Sequence, residues 1–472
     1  MELQLEQKCI PCLIPCAQRS TEERFSTDAV VPDSLPDVAE LLLTEGNLCL
    51  WRLDLSDGSA ELEGEIDTRV CCEDEDGALM SIPVRVPVQL RLRAESISSG
   101  QRPFLRCRVK NISGQLLNSR KVRVQAIVHC SLVTYGVSEI AVTTGIASED
   151  QSLYLHKSQK ALPYLSAVEE RVVTVEDTLA LQCGIPSDGR LLSYESFSVA
   201  DDCEYGDQRV VVKGMIRTSL LYQDSASKNL ISETVETPFS CVLDLDSVVS
   251  NCKLSLHLTS AEVRCRNDDP AVDMAFHLLV QAICFAEQEV EFITDAYSNR
   301  AEVNLEWKEQ TFPVFRAEEV RSALKEEIPY DLTGKTICTV RSSPHADGVA
   351  VAMLFQDSEQ KYSAATCFLK TDQSIEWVEE PSVQPGAKGL TVCIPMTAMT
   401  ESAQTGSVRF LSSADLQEKL CDIRSGVTLV RREETMDLWE LAKMNQSSVD
   451  AIRSANPDRD QQYKWFVIPH VP

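Results

Sequence analysis

Three cysteines near the start of the chain have the spacing of a possible metal site. The stretch KCIPCLIPC places Cys9, Cys12 and Cys16 at C-x2-C-x3-C spacing. A C-x2-C pair can grip Zn²⁺ or an iron–sulfur cluster, but such sites need four ligands, usually supplied by a second pair. The remaining cysteines form no second C-x2-C pair, and no His-x3-5-His occurs. The motif is half a site, so we expect no bound metal.

Other short motifs fail as sites for similar reasons. TGKT at residues 333–336 ends like a phosphate loop, but that loop needs a glycine where Pro329 stands, five residues before Gly334. EDEDG at residues 73–77 lacks the spaced ligands of a calcium loop, and its Asp76-Gly77 is typical of a hairpin turn. We expect no catalytic residue, no cofactor and no enzyme activity, because the histidines are also dispersed without a zinc or hydrolase motif: His129, His156, His257, His277, His345 and His470.

The composition excludes several classes of partner. The 472 residues carry a formal net charge of -27, whereas binding to a phosphate backbone requires clusters of Lys and Arg. No stretch approaches the roughly 18 to 20 apolar residues of a membrane span, and the N-terminus lacks the pattern of a signal peptide. We therefore expect no nucleic-acid partner, no membrane span and a cytoplasmic location, in which the cysteines stay reduced and mostly buried.

The elements that must position these residues are mainly strands. Between residues 45 and 300, runs such as VRVQAIVHCSL and QRVVVKGMIRTSLLY alternate at period two and are separated by turn signals. This alternation indicates half-buried antiparallel strands, and their short spacing favours sandwich-like domains. The sequence therefore predicts a mainly β protein with tandem antiparallel β-sandwich-like domains.

The β region also repeats. Three landmark pairs recur in the same order, and their numbers differ by 214 − 64 = 150, 238 − 87 = 151 and 281 − 125 = 156: Gly64 with Gly214, Pro87 with Pro238, and Gln125 with Gln281. Two copies of one domain explain this order, and equivalent mid-strand positions are expected for the two glycines. Residues 301–420 contain similar alternating runs but no clear counterparts of the landmark residues, which predicts a degenerate third β domain.

The last fifty or so residues change from strand to helix patterning. TMDLWELAKMNQSSVDAIRSANP predicts two short helices, the first with Asp437 and Glu440 as a capping box and the second capped by Ser447 or Ser448. Asn456-Pro457 ends the second helix. VTLVRR before and WFVIP after are strand-like, so the sequence predicts a small β-α-α-β module.

This module resembles a LysM domain, through LWELA at residues 438–442, VDAIRSAN at 449–456 and FVIP at 466–469. VVPDSLPDVAELL at residues 30–42, followed by paired β copies, and TDAYS at 294–298 resemble the SPOCS domain of bacterial spore proteins. Tandem SPOCS domains ending in LysM resemble SipL-type spore envelope assembly proteins. The resemblance implies a first β domain at 1–160, a second at 161–300, the degenerate third at 301–420 and LysM at 421–472. It also places CIPCLIPC on a packed edge strand, where Pro11 and Pro15 are tolerated.

Two functions follow from the resemblance. The first is a non-enzymatic scaffold in the mother cell at the forespore surface, whose LysM domain contacts the spore morphogenetic ATPase of the coat basement layer. The second is a binder of peptidoglycan or N-acetylglucosamine polymers. Thr435-Met436 stands where many glycan-binding LysM domains have Gly-Asp, which favours protein recognition. The candidate partner-binding residues are Met436, Trp439, Tyr463 and Trp465, and Trp439 is equally suited to the core.

Overall fold

The structure is a computed structural model that describes residues 2–147, 152–181, 191–224, 229–266, 271–386, 389–418, 426–431, 437–457 and 465–471. The chain is mainly β, as the alternation of its sequence predicted, and all of the described strand pairs are antiparallel. Its strands form three successive β units and a small C-terminal module.

The first β unit spans residues 4–147. Its strands are β1 (Gln4–Val30), β2 (Val38–Ser56), β3 (Ser59–Asp74), β4 (Leu79–Arg93), β5 (Arg102–Asn118) and β6 (Lys121–Ala147). They form two sheets of order β1-β6-β5 and β2-β3-β4. Alternate residues of both sheets enter one core, for example Val84 and Val86 of β4 with Val122 and Val124 of β6. Two facing sheets with a shared apolar core make this unit sandwich-like.

The second β unit spans residues 153–298 and repeats this plan. Its strands are β7 (Leu153–Ala180), β8 (Leu191–Gly206), β9 (Arg209–Gln223), β10 (Leu230–Asp244), β11 (Asn251–Cys265) and β12 (Ala271–Ser298). The sheets have the orders β11-β12-β7 and β10-β9-β8. Residues 153–160, which the sequence assigned to the first domain, pair with β12 and so belong to the second unit.

The third β unit spans residues 301–418 and keeps the plan with shorter inner strands. Its strands are β13 (Ala301–Ile328), β14 (Lys335–His345), β15 (Gly348–Asp357), β16 (Tyr362–Lys370), β17 (Ser374–Val378), β18 (Ser382–Pro385) and β19 (Leu390–Glu418). One sheet has the order β13-β19-β17 with β18 also on β19, and the other has the order β14-β15-β16. In every unit the long first strand pairs with the long last strand.

A bulge at the same place in the ladder between the first and last strands of each unit fixes the alignment of the three units. Thr144, Thr294 and Ser412 are each left unpaired in the last strand of their unit. Their hydroxyls donate to the carbonyl oxygens of three evenly spaced first-strand residues, with 156 − 6 = 150 and 306 − 156 = 150, at 3.4, 3.2 and 3.0 Å: Glu6, His156 and Glu306. In each unit the hydroxyl of the bulged residue thus gives a side-chain hydrogen bond to the first-strand carbonyl beside the bulge.

The three pairs of long first and last strands meet in one apolar cluster to which each unit contributes equivalent residues. Cys12, Leu162 and Phe312 occupy the same first-strand position, because each lies six places after the carbonyl that its bulge hydroxyl contacts. The last strands add a second equivalent set, each two places before the bulge: Val142, Phe292 and Phe410. Phe410 packs edge-on against both of the other phenylalanines. The units therefore pack with approximate threefold equivalence around this cluster.

The two landmark glycines occupy equivalent places, as predicted. Gly64 lies on β3 and Gly214 on β9, the central strands of corresponding sheets, and each faces a bulge in the preceding strand. A Cβ on Gly64 would overlap the carbonyl oxygen of Cys49, and one on Gly214 would overlap that of Val199. Glycine is needed here because the neighbouring backbone approaches too closely for any side chain.

The third landmark pair was misaligned. The bulges and the strand starts of β6 and β12 give the same offset between the first two units, since 294 − 144 = 150 and 271 − 121 = 150. The numbers of Gln125 and Gln281 differ by 281 − 125 = 156, so the two residues lie six positions apart in the shared fold. The repeated Val-Gln-Ala-Ile string is a coincidence of composition in two apolar strands.

The N-terminal cysteines lie on β1, which is an edge strand of its sheet, as predicted. Cys9 is exposed and Cys12 is buried in the cluster between the units. Cys16 is the residue left unpaired by a second bulge of the β1–β6 ladder, and this bulge lies on β1. Since successive side chains of a strand point to opposite faces, the even-numbered Cys12 and odd-numbered Cys9 face away from each other.

The C-terminal module consists of β20 (Val427–Arg431), α1 (Leu438–Met444), α2 (Val449–Ala455) and β21 (Trp465–Pro469). Asp437 caps α1 by accepting from the backbone N–H of Trp439, and Ser448 caps α2 by accepting from that of Ala451. The two strands pair with each other, and the helices cover one face of that pair. The longest described helices have seven residues, so none is long enough to cross a bilayer.

Candidate functional site

The C-terminal module has a small core of its own. Ala442 of α1, Ile452 of α2 and Ile468 of β21 are fully buried, and Leu441 is nearly so. Asn456 joins α2 to β21, because its side chain donates to the carbonyl oxygen of Val467 at 2.7 Å and accepts from its N–H at 3.0 Å. Leu438 is only partly buried against the cluster.

Trp439 anchors the module to the second β unit. Its indole Nε1–H donates to Oδ2 of Asp295 at 2.7 Å, and its ring packs edge-on against Tyr297 with centroids 4.8 Å apart. The Lys443 ammonium also lies 2.7 Å from Asp295 Oδ2. The Tyr297 hydroxyl donates to the carbonyl oxygen of Ser447 at 2.8 Å. Only 8% of Trp439 is exposed. This residue, predicted to bind a partner, instead contacts the second β unit of its own chain.

The charge of Asp295 contributes to this contact. Burial by itself raises the pKa of the carboxyl group, but the hydrogen bonds from Lys443 and Trp439 outweigh it and leave the pKa below its ordinary value. The carboxylate is therefore ionised at neutral pH, and both of its bonds to the module are charge-assisted.

The anchor site occurs in one β unit of the three. Asp295 and Tyr297 are the first and third residues after the bulge of the second unit. Counted from the bulge in the same way, the corresponding positions are Gly145 and Ala147 in the first unit, and Ser413 and Asp415 in the third. Neither pair offers a carboxylate and an aromatic ring in the same arrangement. This difference explains why the C-terminal module packs on the second unit.

The outer face of the β20–β21 pair is apolar and open to solvent. Val427, Leu429 and Trp465 are 61, 62 and 53% exposed. They share a face because Leu429 pairs with Val467 and Arg431 pairs with Trp465, and directly paired residues of antiparallel strands point to the same side. The helices cover the other face, against which Val430 and Phe466 pack. An exposed apolar cluster of this kind is typical of a protein-interaction surface.

The four predicted binding residues thus fall into three classes. Trp465 lies on the open face, Trp439 lies in the anchor, and Met436 and Tyr463 lie outside the residues that the structure describes. Sequence reasoning missed Val427 and Leu429. The alternation in VTLVR was the available signal, but a two-stranded sheet covered on one side gives no sequence clue to which face is covered.

A cavity of about 1100 Å³ lies between the three β units, and its walls include His257, His345 and Glu195. Ser255 Oγ lies 3.0 Å from His257 Nε2, which resembles a nucleophile beside its base. However, the carbonyl oxygen of Leu105 lies 2.6 Å from the hydroxyl and 2.9 Å from Nε2. Since a carbonyl oxygen only accepts, both groups donate to it, and Nε2 is not free to take the serine proton.

Burial also shifts the pKa values of residues that line the cavity. It lowers the pKa of His257 and of His345 to about 4, so both imidazoles are neutral at neutral pH. Burial, together with the nearby Glu45 carboxylate, raises the pKa of Glu195. Within the described ranges, no group of three His, Cys, Asp or Glu side chains is placed to share a metal ion.

A buried ion pair joins the units behind this cavity. The Arg341 guanidinium of the third unit contacts both carboxylate oxygens of Glu45 in the first unit, each at 2.9 Å. Ser193 of the second unit donates to the same carboxylate. The side chains of Arg341 and Glu45 are only 5 and 10% exposed. These bonds offset part of the cost of burying the charge pair, although Nη1 of Arg341 has no hydrogen-bond partner among the residues that the structure describes.

Comparison with known proteins adds no relative: no protein-family model matches the chain, and no curated protein matches it.

Proposed function

We propose that this chain is a non-enzymatic scaffold of the SipL type in the endospore envelope, with SPOCS-like β units and a LysM-type C-terminal module that recognises a protein. The observation that carries the proposal is the open apolar face of Val427, Leu429 and Trp465 on a module held firmly to the body by Trp439. The proposed partner is the spore morphogenetic ATPase of the coat basement layer, at the forespore surface in the mother cell.

The order of elements in the module supports the LysM assignment. The motifs LWELA and VDAIRSAN fall on α1 and α2, and FVIP falls on β21. The two strands flank the helices and pair with each other, which is the strand-helix-helix-strand plan that the resemblance implies.

The arrangement of Trp439 and Trp465 separates two roles. Trp439 orients the module on the second β unit, and Trp465 presents an aromatic ring to a partner beside Arg431. Aromatic residues and arginine are enriched among the residues that dominate binding energy. Met436 and Tyr463 remain predicted contributors to the same interaction.

Binding of the purified ATPase to the full-length chain tests the proposal. Trp465→Ala is expected to weaken binding at least about tenfold, because a truncated tryptophan at the centre of an interface commonly costs more than about 1.4 kcal/mol. Trp51→Ala is the matched control, since Trp51 is 52% exposed on the first β unit and Trp465 is 53% exposed. Circular dichroism establishes that both variants remain folded.

Two results would contradict the proposal. One is unchanged ATPase affinity in the Trp465→Ala variant. The other is binding of chito-oligosaccharides by the parent chain without capture of the ATPase, which would favour the alternative function of a peptidoglycan or N-acetylglucosamine binder.

A further inference from the structure

Two thiols face each other between the sheets of the second β unit. Cys203 lies on β8 and Cys252 on β11, strands that belong to different sheets and share no ladder. Their sulfur atoms are 3.7 Å apart. A disulfide requires a sulfur separation of about 2.0 Å, so closing the bond needs a shift of less than about 2 Å between the two groups.

A tyrosine hydroxyl lies beside the two thiols, and the cavity between the units gives a reagent access to them. The Tyr205 hydroxyl lies 3.6 Å from the Cys252 sulfur. Cys203, Tyr205 and Cys252 all line the cavity between the units, and 42% of Tyr205 is exposed. A small molecule can therefore reach the pair from the solvent side, although Cys252 itself is 9% exposed.

The two thiols differ in acidity. The hydrogen bond with Cys203, helped by that with Tyr205, lowers the pKa of Cys252 in spite of burial. The same bond and burial raise the pKa of Cys203. Because the thiolate is the nucleophile, Cys252 is the thiol that reacts first and Cys203 is the one that resolves the intermediate.

We infer that Cys203 and Cys252 form a redox modification site that closes reversibly to a disulfide when the chain meets a low-molecular-weight disulfide. This inference is independent of the proposed scaffold function, because it concerns the chemistry of the second β unit alone.

The reaction is an exchange in two steps. The Cys252 thiolate attacks one sulfur of the small disulfide, its S–S bond breaks, and one small thiolate leaves. Cys203 then gives up its proton and attacks the Cys252 sulfur, and the second small thiolate leaves. Two protein thiols are oxidised to one disulfide, and one small disulfide is reduced to two small thiols, which take up the two protons.

The new bond would join two parts of the molecule with different neighbours. β8 contacts the first unit, where Ser196 N–H donates to Asn47 Oδ1 at 2.6 Å. β11 pairs with β12, the strand that carries Asp295 and the anchor of the C-terminal module. A disulfide closes the chain segment from Cys203 to Cys252 into a loop and restrains the unfolded chain.

Treatment of the full-length chain with glutathione disulfide tests the inference. We expect a non-reducing digest to contain a cross-linked peptide with Cys203 and Cys252, lighter by two hydrogen atoms than the two reduced peptides together. Dithiothreitol should reverse the cross-link. Exposed Cys9 reports that the reagent is active, because it should form a mixed disulfide. Cys71 and Cys72 are the controls, since both are fully buried and neither lines the cavity, and they should stay reduced.

Variants separate the roles of the two thiols. Cys203→Ser should stop the reaction at a glutathione adduct on Cys252, and Tyr205→Phe should slow formation of the cross-link, with thermal melting as the folding control. Reaction of Cys9 while Cys203 and Cys252 remain reduced would overturn the inference. So would stable adducts on either thiol of the parent chain without a cross-link between them.

Discussion

At the scale of single residues, Asp295 decides where the C-terminal module sits. It accepts from Trp439 and pairs with Lys443 through the same oxygen, and the corresponding positions of the other units hold Gly145 and Ser413. A single carboxylate thus distinguishes one β unit from two others of the same plan. Trp439 becomes a structural anchor because this partner lies within reach.

Asp295→Asn is expected to weaken the anchor by about 1.5 to 3 kcal/mol, the usual worth of hydrogen bonds to a charged group. Hydrogen exchange in α1 and α2 should speed up accordingly. Asp54→Asn is the control, since Asp54 forms only an exposed ion pair with Arg52. Equal exchange rates in parent and Asp295→Asn would contradict this role.

The pKa of Asp295 is below that of an unfolded Asp. The contact between Asp295 and the C-terminal module should therefore be complete above about pH 4 and weaken as the pH falls through the lower folded pKa.

At the scale of elements, bulges organise the long strands. The first strand of each unit has 27 or 28 residues, far above the usual five or six, and its partner strand is as long. The sequence predicted shorter strands. It shows where the apolar–polar alternation is interrupted, but it does not show that strand pairing continues through the interruption. Thr144, Thr294 and Ser412 let the ladder continue by absorbing one extra residue each.

Gly64→Ala tests the close approach between Gly64 of β3 and the backbone of β2, beside the β2 bulge that Gly64 faces. The new Cβ would overlap the Cys49 carbonyl oxygen, and relief by movement of a packed strand should cost about 1 to 3 kcal/mol. Gly100→Ala is the matched control, because a Cβ at Gly100 would meet nothing within 4 Å. Urea unfolding should show the first variant destabilised and the second close to the parent. Equal midpoints for the two variants would show that the strand yields freely.

At the scale of the whole molecule, three units form one body. Equivalent residues such as Cys12, Leu162 and Phe312 share a single cluster, and the Glu45–Arg341 pair links the first unit to the third. The first contact is apolar and leaves a cavity if one member is truncated, whereas the second leaves a buried charge if one member is removed.

Arg341→Met is therefore expected to destabilise the body by about 3 to 5 kcal/mol, because Glu45 would remain buried without its charge partner. The double variant Glu45→Gln with Arg341→Met should recover much of that loss, since it removes the unpaired charge. Thermal unfolding of the single and double variants measures both effects. A double variant as unstable as the single one would mean that the pair matters for packing and not for charge.

The sequence alone determined features that depend on neighbouring residues. Period-two alternation predicted strands, Asp437 and Ser448 predicted the helix starts, and Gly64 with Gly214 predicted the duplication. Each signal works because backbone sterics or a local hydrogen bond requires that residue type at that place. Only the tertiary structure decided the features that depend on residues far apart in the chain. It equated the third unit with the others through the bulge at Ser412, and it buried Trp439 while leaving Trp465 exposed. A tryptophan has the same local signature in both settings, and its burial depends on whether a distant partner such as Asp295 is brought to it.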